Sequence, residues 1–207
     1  MRQLYIIPII HSKHDLGSLE KPIKDLKKQV TSEAVFESNQ KLVDSFWREL
    51  QSAISSWNLD FSNALVFQDA LPFTGHPDRV IEHKIVAELA DKGSANHRLV
   101  RWLIEQGARL EGTESTELLL KEYDAVRKAL ADGIYRNAGA KVNTWSIESG
   151  ESLLMKRDQF IAGRIMEALS VSQFGILFIG MLHRVEEYLS PDFQVEFPFG
   201  KLATATG

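Results

Sequence analysis

Two short, almost uninterrupted apolar runs constrain this chain most: Tyr5-Ile6-Ile7-Pro8-Ile9-Ile10 near the start and Gly175-Ile176-Leu177-Phe178-Ile179-Gly180-Met181-Leu182 near the end. Both are rich in β-branched or aromatic residues and read as buried strands. Each stops at an imidazole, His11 and His183, the side chain best suited to proton transfer or metal ligation near neutral pH. Side by side in one parallel sheet, the two strands would deliver both histidines to the same carboxyl edge. That edge is where open α/β sheets place their ligands.

Strand and helix patterns alternate between the two runs. A first strand, Leu4 to Ile10, leads through a polar loop to helical segments between Ser32 and Trp57, where Phe36, Leu42, Val43, Phe46, Leu50 and Ile54 recur at helical spacing. Asn63 to Gln68 reads as a second strand and Asp69 to Asp78 as a loop. Helices follow at Arg79 to Ala90 and Ala95 to Gln106, the latter closed by Gly107. Ala108 to Gly112 reads as a short third strand and Thr116 to Leu130 as a helix. The segment 133–150 reads as a lid or insertion, with a strand at Lys141 to Ile147. Ser152 then caps a helix from Leu153 to Leu169. The tail, Phe193 to Phe199, reads as a last strand, antiparallel at an edge.

The expected architecture is a single α/β domain over residues 1–207, with a mainly parallel central sheet flanked by helices. A chain of 207 residues suits one sizeable core rather than two. Its net charge of −4 argues against a nucleic-acid partner, and no apolar run approaches the roughly 20 residues of a membrane span. The first apolar run is short for a signal-peptide core and lacks a small-residue cleavage site. Cysteine is absent, which removes disulfides and thiolate chemistry and makes the cytoplasm the default setting. The expected partner is a small-molecule or peptide substrate, and a homo-oligomer is compatible with the composition.

The strand ends gather His11, the Gln68-Asp69 pair, Glu114 and His183. Two imidazoles with one or two carboxylates form a ligand set for a divalent metal such as zinc or manganese. The same set could act without metal, one histidine serving as base and a carboxylate orienting it. Each histidine also has a plainer reading, as a helix cap or a backbone hydrogen-bond partner. His14 and Asp15 complete a His-x-x-His-Asp run, but Gly17 and the lysines beyond it suggest a loop and a surface role.

Arg157 falls on the apolar stripe of its helix, three residues after Leu154 and four before Ile161, and so faces the core. An inward arginine needs a carboxylate such as Glu114, or a substrate anion; near a helix start it could also snorkel. Asp158 reads as favouring the helix dipole. Glu114 could instead belong to the first turn of the helix that follows, with Ser115 or Thr116 as its cap. His76 sits in a Pro/Gly loop that reads as a solvent-exposed rim. There is no phosphate-cradling glycine loop, dinucleotide fingerprint or Gly-x-Ser-x-Gly elbow.

Gly180-Met181-Leu182-His183, the Arg157-Asp158 pair on the preceding helix, Pro8-Ile9-Ile10-His11 and Gly112-Thr113-Glu114 together resemble the TraB/Tiki (GumN-like) superfamily. Its wider relatives include ChaN-type and erythromycin-esterase-type proteins. That family carries Gly-x-x-His after its first and a late strand, and an Arg-Asn helix before the second motif. This chain matches the second motif fully, places Pro8 where the first has glycine, and has Asp158 in place of asparagine. Where the family often has an acidic residue after its second strand, it offers Gln68-Asp69. The resemblance is strongest over residues 153–190 and weaker over 4–19.

It implies an α/β fold and a metal-dependent hydrolase of peptide or ester bonds. His11 and His183 would bind the metal, Glu114 or Asp69 would act as further ligand or general base, and Arg157 would steady the developing negative charge. A non-catalytic binding or regulatory module is the alternative, favoured by Pro8 and Gln68. The ChaN-type kinship adds haem binding as a third reading.

Overall fold

The computed structural model of this protein describes residues 1–9, 33–131 and 144–200. The elements in chain order are β1 (Arg2–Ile9), α1 (Glu33–Ser55), β2 (Ala64–Gln68), α2 (Val80–Asp91), α3 (Ala95–Glu105), β3 (Arg109–Glu111), α4 (Thr116–Ala131), α5 (Thr144–Ala168), β4 (Phe174–Gly180) and β5 (Phe193–Glu196). The five strands form one sheet in the order β3-β2-β4-β1-β5, with every pair parallel. The α/β architecture with a parallel sheet between helices is as the sequence predicts.

The apolar runs are continuous because both faces of the sheet are covered. Along β1, Ile7 and Ile9 enter one core with Leu50 and Ile54 of α1 and with Leu99 and Leu103 of α3. The alternate residues Leu4 and Ile6 enter a second core with Ile161 and Ile165 of α5. In β4, Ile176 and Phe178 belong to the first core, Leu177 and Ile179 to the second. This period of two is what a strand requires when helices pack on either side. Trp47 is buried in the first core, with Phe46 and Trp57 packed against it, so these aromatics are structural.

β1 and β4 are neighbours, registered from Gln3 opposite Phe174 to Ile9 opposite Gly180. Their carboxyl ends therefore lie level. Pro8 sits opposite Ile179 and beyond the reach of β5, which pairs only with Arg2–Tyr5. There β1 is paired on one side only, where a missing N–H is tolerated.

Three expectations need correction. The tail strand is parallel to β1, not antiparallel. After Gly180 the chain crosses one face through a 3₁₀ turn at Val185–Tyr188, whose Val185 is buried in the second core. It returns to the amino edge, where the Arg2 N–H donates to the Asp192 carbonyl at 2.8 Å. The proposed strand at Lys141 to Ile147 is not one over 144–147, which belong to α5; residues 141–143 lie outside the described residues. α5 accordingly starts at Thr144 and not beside Ser152. Gly150 does not break it, because an exposed mid-helix glycine costs only about 1 kcal/mol. Of the proposed lid, 133–143 lies outside the described residues and 144–150 is helical. No helix among the described residues is long and apolar enough to cross a membrane.

Gly112 controls how the ends of β2 and β3 meet. A Cβ there would lie 2.6 Å from Phe73 Cα and 2.7 Å from the Pro72 carbonyl oxygen, both backbone atoms. Its absence lets the 71–73 segment lie against 112–114. The N–H groups of Thr113 and Glu114 donate to the Leu71 carbonyl at 3.0 and 2.9 Å, and that of Phe73 to the Glu114 carbonyl at 2.7 Å. Gly112→Ala is expected to cost about 1–3 kcal/mol in urea unfolding. Gly163→Ala, at an open and exposed position of α5, should instead stabilise by about 1 kcal/mol.

Candidate functional site

The carboxyl edge of the sheet brings together the residues that follow β2, β3 and β4. Asp69 comes directly after β2, and its N–H continues the ladder by donating to the Phe178 carbonyl at 2.9 Å. The next residue, Ala70, has φ of 60°. An alanine held in this left-handed region is strained, which fits a turn whose surroundings dictate its shape. Glu114 is fixed through its own backbone by the 71–73 contact, and its side chain is wholly buried. It precedes α4, whose first turn is capped by Ser115 accepting from the Leu118 N–H at 3.4 Å. Glu114 is thus turned inward and is not a helix-start residue.

β4 ends at Gly180, and a turn closes with the His183 N–H donating to the Gly180 carbonyl at 3.1 Å. Met181 and Leu182 form its exposed corner, and His183 is brought back over the strand ends. Asp158 holds the ring: its Oδ1 lies 2.5 Å from His183 Nδ1, and its Oδ2 accepts from the Arg184 N–H at 3.0 Å. Nδ1 therefore carries the proton in the neutral ring, and Nε2 lies 3.8 Å from Asp69 Oδ1. Asp69, Glu114 and His183 each offer a ligand atom within 4.8 Å of the others.

Arg157 joins these groups. Its Nη2 donates to Asp69 Oδ1 at 2.9 Å and to Glu114 Oε1, Nε donates to Glu114 Oε2 at 3.2 Å, and Nη1 to Glu122 Oε1 at 2.6 Å. The other oxygen of Asp69 accepts from the Gly180 N–H at 2.9 Å. Arg157 lies well inside α5 and is only 4% exposed, so it is a buried ion-pair partner and not a snorkelling one.

Burial pushes the Glu114 carboxyl up to about 7, against the lowering pull of Arg157 and with the Asp69 charge adding to the rise. Burial opposes protonation of His183, but the Asp158 hydrogen bond and the Asp69 charge outweigh it and hold its pKa above the usual imidazole value. Burial likewise works against the Arg157 charge, yet Glu114, Asp69 and Glu122 raise its pKa further.

Of the residues expected from the sequence, Asp69, Glu114, Arg157 and His183 converge. His11, His14 and Asp15 lie outside the described residues. His76 is exposed on its loop, 3.9 Å from Asp78. Two participants take roles that the sequence does not mark. Asp158 is far from the start of α5, so it serves His183 and not the helix dipole. Glu122 reaches in from α4 with no pattern to mark it.

A second buried charge cluster lies at Glu111 of β3. It binds Arg79 at 2.8 Å and Arg109 at 3.0 Å, with Arg164 at 3.7 Å. Arg164 lies seven residues after Arg157 on the same helical stripe, so its spacing could have revealed it.

One imidazole and two carboxylates suit a borderline or hard divalent cation such as zinc or manganese. A carboxylate on the far nitrogen of the histidine is the usual support of a metal ligand. Set against known proteins, the chain matches no protein-family model, no curated protein and no solved structure.

The site makes the metal-free protein sensitive to pH. Glu114 keeps its proton in the fold up to about pH 7, whereas its ordinary value is 4.5. A carboxyl raised in this way favours the fold at low pH, and the benefit is lost as pH rises through that window. The raised pKa of His183 has the same sign: its contribution is full below 6.5 and falls as pH passes the folded value. Thermal melts of metal-free protein should therefore show Tm falling as pH rises from about 4.5 to about 7. Glu114→Gln should flatten that dependence. Arg157→Leu, which strands two buried carboxylates, should cost about 3–5 kcal/mol at neutral pH.

Proposed function

We propose that this protein is a metal-dependent hydrolase of TraB/Tiki-like type that cleaves a peptide or ester bond, with Asp69, Glu114 and His183 as its metal ligands. The observation that carries this reading is the orientation of His183. Asp158 occupies Nδ1, which leaves Nε2 beside Asp69 with Glu114 close by. A structural histidine has no need of two further buried carboxylates on its other side.

A bound divalent cation supplies Lewis acidity, lowering the pKa of a water and polarising a carbonyl. The residues of the chain do the rest. Asp158 fixes the His183 tautomer and ring plane, so that the imidazole needs no reorganisation on binding. Glu114, a carboxylate beside the cation, can also take the proton of the attacking water. Arg157 sets a permanent positive charge beside the place where the acyl oxygen gains negative charge. Overall, water adds across the scissile bond, hydroxyl to the acyl carbon and proton to the leaving nitrogen or oxygen.

One observation favours the rival reading of a non-catalytic binding module. Arg157 already satisfies Asp69 and both oxygens of Glu114, so a cation must compete with a guanidinium for the same carboxylates. Elemental analysis of tag-free protein after incubation with zinc or manganese separates the two. The hydrolase reading expects close to one equivalent of metal in the wild type and its loss in His183→Ala and Asp69→Asn, with both variants still folded. Asp158→Asn should weaken metal binding by about 10- to 100-fold. His11→Ala, run alongside, tests whether that residue adds a ligand. A wild type that takes up no metal returns the protein to the binding-module reading.

A further inference from the structure

Beside the candidate centre is a cavity of about 580 Å³, counting its space open to solvent. Its wall is built from Ile6 and Pro8 of β1, Ile179 of β4, Met181 of the turn and Phe197 just past β5. It shares two residues, Gly180 and His183, with the cluster that holds Asp69. The cavity exists because β1 and β4 end level while β5 stops at Glu196, short of Pro8. Among the described residues, the face of β1 and β4 beyond β5 is then covered only in part by the chain returning from Gly180. Ile6 and Ile179 remain buried residues of the second core, so the floor is fixed in place.

Next to it, Met181 and Leu182 are 49% and 77% exposed. A tight turn needs neither residue to be apolar, and polar residues would serve its fold equally well. An apolar hollow and an apolar corner thus flank the same imidazole. Arg184 and Glu186 at the cavity carry opposite charges that offset each other.

We propose that this cavity is an acyl subsite, which takes the aliphatic chain of an ester or amide whose carbonyl is presented to the Asp69–Glu114–His183 centre. The proposal rests on the hydrolase reading for the role of the carbonyl, while the apolar chain is assigned by the cavity alone. Substrates are then esters or amides of apolar carboxylic acids, and cleavage by water releases the acid and an alcohol or amine. Ile179, Met181 and Phe197 set the preferred chain length.

The test uses butyrate, hexanoate and octanoate as probes of the full chain, followed by ¹³C-methyl NMR of Ile6, Ile179 and Met181. All three methyl groups should shift on titration. Affinity should rise on the order of tenfold from butyrate to hexanoate, since each buried methylene contributes up to about fourfold. Phe197→Ser, at a half-buried position outside the centre, should weaken hexanoate binding more than butyrate binding. In parallel, kcat/KM for p-nitrophenyl esters should rise from acetate to hexanoate. Methyl shifts that are absent, that fall elsewhere, or that carry no chain-length dependence overturn the subsite. Ester hydrolysis with no chain-length preference also overturns it, yet leaves the hydrolase reading standing. Chain-length-dependent binding without turnover in metal-loaded protein sinks the hydrolase reading and leaves an acyl-binding cavity.

Discussion

Everything at the carboxyl edge depends on the buried guanidinium of Arg157. One side chain from α5 ties together the residue after β2, the residue before α4 and a carboxylate on α4 itself. Without it, two carboxylates would share a pocket closed to water, where like charges cannot both ionise at reasonable cost. With it, the pair persists, although Glu114 holds its proton to about pH 7. Buried ion pairs of this kind seldom add much stability over an apolar replacement, while the cost of breaking one is large. The cluster is therefore better understood as fixing geometry than as holding the fold together. The two apolar cores on either side of the sheet already do that.

A guanidinium and a divalent cation are alternative solutions to the same electrostatic problem. Both neutralise Asp69 and Glu114, and the cation does so with twice the charge and shorter contacts. Arg157 has a third partner in Glu122, which is 43% exposed and can retain the guanidinium if the inner carboxylates turn to a metal. Asp69 and Glu114 take up Nε and Nη2 while Glu122 takes up Nη1, so all three nitrogens of the buried guanidinium have a carboxylate partner.

The strands were legible in the sequence because burial on both faces leaves a continuous apolar run, and the run ends where the sheet ends. Asp69, Glu114 and His183 were legible for the same reason, since each follows such a run within a few residues. Arg157 was found through helical spacing, where a charge on an apolar stripe is conspicuous. What escaped lacked a local signature. The direction of β5 depends on where the chain re-enters the sheet, and that is set by Val185 packing into a core made of distant residues. The start of α5 has no local mark either: the helix runs through Gly150, because an exposed mid-helix glycine is a weak boundary. With α5 starting at Thr144, Asp158 lies in mid-helix, where its partner is His183 and not the helix dipole.

That position 158 is an aspartate and not an asparagine bears on the chemistry of His183. An asparagine carbonyl can accept from Nδ1 and fix the same tautomer, but it brings no charge. The aspartate adds a negative charge on one side of His183 while Asp69 adds another at 3.8 Å on the other. Such an imidazole is a stronger base, and hence a better ligand toward a cation, than one held by an amide. It is also more readily protonated when no cation is present, so metal and proton compete for Nε2 more sharply. A carboxylate at 158 thus strengthens the hold of Nε2 on a proton and on a cation alike.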